Sequence, residues 1–378
     1  MHNDIWSRRR ALRAAAAAAS SIWLPSKAQD GDEIRIGQSA HLSGPLAPTL
    51  AMALRGQSLA LDEINRSGGI GGRPVRLIAL DDGYDAKRCL DNVDSLIRRD
   101  KVIALTGLAS TANVAAVLPV LAQKRVPLIG VYTGAPAVRA AFHPFFFTST
   151  ASYRDEVVQM VRNLATLRMN RIGLVYQNNA FGQGMLAVIE EVVAAHAAQL
   201  VGKQALDITG RDAAEVAQVL SVSAPQAVLL IGFGPSIASF VKAARTRLGV
   251  PMYALATSNT KSVLAALGDD ARGLAFTQIV PYPWRRTTAL TRDFGAAMER
   301  ANLPIGYDSF WGYLNMRVVL AALQRAGRQA TSDSVVKAME SMGRLDLGGY
   351  TLSYGPQNHH GSSFVEITIV GPDGRYLR

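Results

Sequence analysis

Three aspartates, Asp81, Asp82 and Asp85, follow four glycines in "NRSGGIGGRPVRLIALDDGYD" (65–85), and glycines beside carboxylates are what a phosphate loop with a metal would need. The order of elements argues against that chemistry. A dinucleotide fingerprint places its glycines between a strand end and a helix start. Here Gly68, Gly69, Gly71 and Gly72 follow a helical stretch and precede an apolar strand. They fit a helix C-cap and a tight entry into the strand, because glycine tolerates left-handed backbone. A calcium loop needs further ligands and a distal Glu at fixed spacing, so the aspartates read as a solvated turn.

Catalytic patterns are equally incomplete. Ser258-Asn259-Thr260-Lys261 has the S-x-x-K spacing but none of its companion motifs. Gly234-Pro235-Ser236-Ile237-Ala238 falls one residue short of a nucleophile elbow. His359-His360 has no acid or cysteine at ligand spacing, and His41 has no partner visible in the sequence. The expectation is a protein that binds without turnover, with no cofactor and no metal.

What remains is a set of uncharged hydrogen-bonding and aromatic groups at the ends of strand-like runs. They are "HLSGP" (41–45), "GLAST" (107–111), "VYTGAP" (131–136), "NNAFGQG" (178–184), "GFGPS" (232–236) and "ATSNT" (256–260). Hydroxyls and backbone N–H groups at helix starts suit a carboxylate, and aromatic rings suit the apolar wall of a small-molecule cleft.

The elements that must position these loops are short apolar runs separated by amphipathic stretches. Strands are expected at 34–38, 75–81, 102–107 and 126–131, then at 171–177, 227–234, 252–257 and 274–280. Strands apolar throughout and separated by helices imply parallel sheets covered on both faces, and two such sets imply an α/β protein of two doubly wound parallel-sheet lobes. Helices are expected at about 49–67, 287–301, 306–326 and 331–342, followed by antiparallel strands in "GGYTLSYGP" and "SFVEITIVGPDGRY".

Composition narrows the class further. The formal charge is +11, and residues 1–29 hold five basic groups and one acid, which leaves +7 on the remainder. Those basic residues are scattered rather than gathered in a stripe, so nucleic acid is not an expected partner. No apolar run reaches the length of a membrane span. The single cysteine, Cys89, excludes an internal disulfide. At the N-terminus, "SRRRALRAAAAAASSIWLPSKA" combines a basic start, an Ala-rich stretch and the small-x-small site Ser26-Lys27-Ala28. It reads as an export signal, residues 1–28, that resembles the twin-arginine type although Ala11 stands where Phe is usual, with the twin-arginine and the general export route both open.

The chain resembles the periplasmic solute-binding proteins of the leucine/isoleucine/valine-binding family, receptors of amino-acid ABC transporters. The resemblance rests on "IGQSAHLSGPLA", "LALDEINRSGGIGGRPVRLIALDDGYDAKRC", "RIGLVYQNNAFGQGM" and "DLGGYTLSYGPQNHHGSSFVEITIVG". It implies the type I periplasmic binding fold, whose two lobes are joined by three hinge strands and close on a ligand. The expected lobes are 29–148 with about 282–345, and 149–281 with about 346–378. The glycine turn then belongs to the scaffold, away from the ligand. The resemblance also implies a periplasmic location after cleavage near Ala28, a monomer, a small-molecule ligand and a membrane permease as partner. A periplasmic sensor signalling to a separate membrane protein is the alternative.

Carried over by motif, Ser110 holds a ligand carboxylate, while Tyr132 and Thr133 lie in the loop that holds the α-amino and carboxylate groups. Phe181 stands where the family commonly has Tyr, Phe233 matches a second cleft aromatic, and Tyr153 follows the first crossover. Ser43, Thr111 and Gln278, from the same strand ends, complete the expected ligand-binding set with Thr257. Two departures stand out. The threonine of the 131–136 loop comes one position early, and the acid that pairs with a ligand ammonium aligns at about Thr257. A hydroxyl is no substitute for a buried carboxylate opposite an ammonium. An organic or aromatic carboxylate without the amine therefore stands beside an amino acid as the expected ligand.

Overall fold

The computed structural model describes residues 33–378, so the expected export signal lies outside the described residues. The first sheet contains β1 (Ile34–Ala40), β2 (Val75–Asp81), β3 (Ala104–Thr106), β4 (Leu128–Ile129) and β5 (Phe146–Phe147). Its order is β2-β1-β3-β4-β5, with every pair parallel. The second sheet starts with β6 (Arg171–Gln177), β7 (Gln199–Leu206), β8 (Ala227–Ile231), β9 (Met252–Ala254) and β10 (Ala275–Gln278), again parallel. In the tail, β11 (Gly343–Asp346) and β12 (Thr351–Tyr354) form a separate antiparallel pair. Of the last strands, β13 (Glu366–Val370) adds antiparallel to β10, and β14 (Tyr376–Leu377) antiparallel to β13. The second sheet therefore runs β14-β13-β10-β9-β8-β6-β7.

Helices on both faces explain why the central strands are apolar throughout: every residue of β3, β8 and β9 is buried. The sequence reading missed β5, β7 and β11. β5 is two residues long, and β7 is an edge strand whose "QLVGKQAL" is mostly half-exposed, so neither carries a continuous apolar signal.

The first lobe is tied together by two long helices, Ala47–Arg66 and Tyr307–Ala326. They cross in backbone contact. A Cβ on Gly56 would overlap the Ser309 carbonyl, and a Cβ on Gly312 would overlap that of Ala53, so only glycine fits at either position. The Tyr313 hydroxyl locks the pair by donating to Glu63 at 2.6 Å.

The glycine run after the first helix is a turn. Gly68, Gly69, Gly71 and Gly72 all have positive φ, and Ile70 and Arg73 exchange backbone hydrogen bonds across it. Where the chain leaves the first sheet, Thr148 pairs with the returning tail: its N–H donates to the His359 carbonyl at 2.9 Å, and Gly361 N–H donates to its own carbonyl at 2.8 Å. The small sheet buries Leu352 and Tyr354 in the core shared with the helix Tyr307–Ala326.

Candidate functional site

A cleft of about 740 Å³, mouth included, lies at the carboxyl ends of the strands of both sheets. That size and position suit a small solute. Ser110, Thr111, Tyr132, Tyr153, Phe181, Phe233, Thr257 and Gln278 all line it.

On the first-lobe side, Ser110 is the N-cap of the helix Thr111–Lys124, with φ 75° and its hydroxyl accepting from Asn113 N–H at 3.4 Å. A helix N-terminus is thereby brought to the cleft wall, where its partial positive charge favours an anion. Behind this loop the Tyr132 hydroxyl donates to Gln57 Oε1 at 3.1 Å. Gln57 in turn pairs with Gln38, whose Nε2 donates to the Gly107 carbonyl at 3.0 Å. Burial pushes the Tyr132 phenol well above its ordinary pKa, so it remains a donor.

Two expected residues serve this wall from behind rather than lining it. The Thr133 hydroxyl meets that of Thr111 at 3.0 Å and accepts from Ala135 N–H. The Ser43 hydroxyl donates to Asp81 Oδ2 at 2.6 Å.

The "DDGYD" segment has a larger part than a solvated turn. Asp81 accepts from Leu42 N–H, Ser43 N–H and Gly83 N–H, and these donors, with the Ser43 hydroxyl foremost, hold its carboxyl well below the usual range. Asp82 accepts from the Ser39 hydroxyl and from Tyr84 N–H, and Asp85 caps the helix Ala86–Arg98. The result is to present Tyr84, itself at φ 69°, to the cleft. The glycine turn is scaffold as expected; Tyr84, at the far end of the same stretch, is cleft wall.

From Tyr84 a chain of rings crosses between the lobes. Successive centroids are 5.4 Å apart for His41–Tyr84, 5.8 Å for Tyr84–Phe233, 6.1 Å for Phe233–Phe181 and 5.0 Å for Phe181–Tyr153. The Tyr84–Phe233 contact thus brings the two lobes together directly. Burial lowers the pKa of His41, against the opposing pull of Asp82 and Asp81.

The characteristic sequence pattern of the periplasmic binding proteins matches residues 33–374. The chain belongs to that family. It is similar to a substrate-binding periplasmic protein from Ralstonia solanacearum, at 29% identity over 91% of this chain and 99% of the other, with a TM-score of 0.85. An extracellular ligand-binding receptor from Verminephrobacter eiseniae is 25% identical over 92% of this chain and 100% of its own, also with a TM-score of 0.85. A Leu/Ile/Val-binding protein homolog from Brucella melitensis is 23% identical over 85% of this chain and 87% of its own length. The two lobes are those of a type I periplasmic binding fold.

Two carboxylates of this binding protein escaped the sequence reading. Glu156 is fully buried behind the second-lobe wall. It accepts from Ala256 N–H at 2.8 Å and from the Thr277 hydroxyl, and so fixes the single turn that carries Thr257. Burial pushes it up to about 7. Asp308 lines the cleft itself, only 8% exposed. Its Oδ1 accepts from Ser309 N–H at 2.8 Å, and its Oδ2 crosses to the second lobe to accept from Lys261 N–H at 3.0 Å. Burial raises its pKa.

Asp308, not a residue at position 257, is thus the acid that this cleft presents, and no lysine or arginine is among its lining residues. The available signal was an aspartate in the first turn of a helix that starts "YDSFWGY", among aromatic residues that favour burial. Trp311, from the same helix, packs edge-on against Tyr132 with centroids 5.1 Å apart. Among the described residues no cluster of His, Cys, Asp and Glu is arranged to hold a metal ion.

Proposed function

We propose that this protein is the exported substrate-binding component of an ABC transporter, which captures an amino acid or a small organic or aromatic carboxylate between its lobes and delivers it to a membrane permease. The lobes in this reading are 29–148 with about 282–345, and 149–281 with about 346–378. The observation that carries it is the cleft between the strand ends of the two sheets, walled by rings, with the N-terminus of the helix Thr111–Lys124 at its side. Ser110, Thr111 and the first N–H groups of that helix receive the carboxylate; Tyr84, Tyr153, Phe181 and Phe233 enclose its apolar body.

Ligand favours the closed state because only there do both walls touch it, and closure is the signal a permease reads. Catalysis is not part of this reading. Nε2 of His41 lies 3.4 Å from the Thr49 hydroxyl, a weakly placed pair with no third group to orient it.

The test is thermal unfolding of the mature chain, from Gln29 onward, against α-amino acids and the matching carboxylates that lack the amine. A ligand at about 1,000 times its Kd adds roughly 4 kcal/mol, enough to raise the midpoint by several degrees. The reading expects such a rise with one or more carboxylates, and the absence of any rise across the panel would overturn it.

A further inference from the structure

We infer that Asp308 and Trp311 form a second polar subsite in the cleft, and that the solute carries, besides its carboxylate, a hydroxyl that donates to Asp308 and accepts from the Trp311 indole N–H. This rests on the carboxylate reading above and narrows it to hydroxylated carboxylic acids. Three observations lead there.

Asp308 is the acid among the lining residues, and no basic side chain accompanies it. A carboxylate solute with nothing further to offer would set a second anion in the same small cleft, unpaired with the first. The solute must therefore bring a donor.

The carboxylate is also held in place. Lys261 N–H and Ser309 N–H each occupy one lone pair, one on each oxygen, which leaves acceptor capacity on both. Because Lys261 belongs to the opposite lobe, this geometry is complete only when the lobes are closed, which is when a ligand is held.

Trp311 decides what kind of donor. It lies three residues beyond Asp308 on the helix Tyr307–Ala326, hence on the same face, and borders the cleft. Trp311 is only 7% exposed, and its Nε1 is buried without a hydrogen-bond partner. A buried N–H of this kind needs an acceptor. An ammonium has donors only and would satisfy Asp308 while leaving the indole N–H unpaired; a hydroxyl supplies both halves.

The experiment is isothermal titration of the mature chain with three matched series: phenylpropanoate, phenyllactate and phenylalanine; isocaproate, hydroxyisocaproate and leucine; benzoate, para-hydroxybenzoate and para-aminomethylbenzoate. In at least one series the hydroxylated member is expected to bind at least about tenfold more tightly than both companions, the scale of a hydrogen bond to a charged group. Asp308→Asn should remove most of that preference. Because this variant also touches the lobe contact, Trp311→Phe serves as the second: it keeps an aromatic ring without the indole N–H, and should weaken the hydroxylated member several-fold more than the unsubstituted one.

An amine-bearing member that binds as tightly as, or more tightly than, the hydroxylated one overturns the inference. So does a preference for the hydroxyl that survives both substitutions. If carboxylates bind but the members of every series bind alike, the inference falls and the carboxylate reading stands. If none binds, both fall.

Discussion

The two walls of the cleft are built differently. The first-lobe wall takes Leu50 and Ala53 from one long helix and Tyr307, Asp308 and Trp311 from another, and these helices touch backbone to backbone at Gly56 and Gly312. Leu50, Ala53, Tyr132, Tyr307 and Trp311 belong to the hydrophobic core as well as to the cleft. The second-lobe wall draws on segments that follow strands, with Phe181 after β6, Phe233 after β8, and Ala256, Thr257 and Thr260 after β9, and on Tyr153 at a helix start; Tyr153, Phe181 and Ala256 are core residues too. Phe233 is only half-buried and packs against the core from outside. The difference separates two tasks. A ring that belongs to the core is fixed before a ligand arrives, whereas a ring the core touches only from outside, as at Phe233, can change at little cost to folding.

The largest effect should come from breaking the helix contact. Gly312→Val places a branched side chain against the Ala53 carbonyl and should cost roughly 3 kcal/mol of stability or more, with loss of binding for whichever carboxylate responds in the thermal panel. Chemical denaturation gives the first number and titration the second. A stable, fully binding variant would mean that the first-lobe wall is less rigid than the meshed helices imply.

Glu156 is where the second-lobe wall borrows rigidity from the core. Its pKa is raised to about 7 from 4.5, so the native state holds its proton more tightly than the unfolded chain does. The stabilisation is therefore present in full below the unfolded value and is lost as pH rises through about 7. Glu156→Gln cannot ionise. Relative to it, the unaltered protein should lose roughly 3 kcal/mol between about pH 4.5 and pH 8. Denaturation of both proteins across that range checks this, and parallel pH profiles would refute the raised pKa.

Phe233→Ala should show the opposite balance from Gly312→Val. Affinity should fall about tenfold through lost ring contact, while unfolding free energy changes by less than about 1 kcal/mol. A large loss of stability would show that this loop is core after all. The smallest effect is expected of Ser110→Ala, which removes a helix N-cap and should cost about 1 kcal/mol. Carboxylate affinity should drop several-fold with it, and unchanged affinity would move the anion site away from that helix start.

Much of this was legible in the residues. The strands 75–81 and 171–177 stand as their apolar runs imply, and the loops at strand ends do converge on one cleft. Phe181 and Phe233 reach it from the loops after β6 and β8, which lie at strand carboxyl ends. Tyr84 was hidden by its company: "DDGYD" reads as a solvated turn until Asp81 and Asp82 are seen spending their lone pairs on the loops that hold the ring in place. Ser43 and Thr133 have the right chemistry in the right loops, yet their hydroxyls are engaged by Asp81 and Thr111.

By itself, then, the sequence determined the elements, their parallel layering, the turn at 68–72 and the loops from which a cleft could be made. Each of these follows from local patterning: the period of apolar residues reports which faces of an element are buried, and glycine reports where the backbone must turn left-handed. Only the tertiary structure decided that Tyr84, Phe233 and Asp308 share one space, and that the acid of the cleft comes from a first-lobe helix rather than from position 257. Those are contacts between residues far apart in the chain. They are set by how two helices mesh at a pair of glycines and how the loops of the two sheets meet across the cleft, and the periodicity of any one segment contains neither.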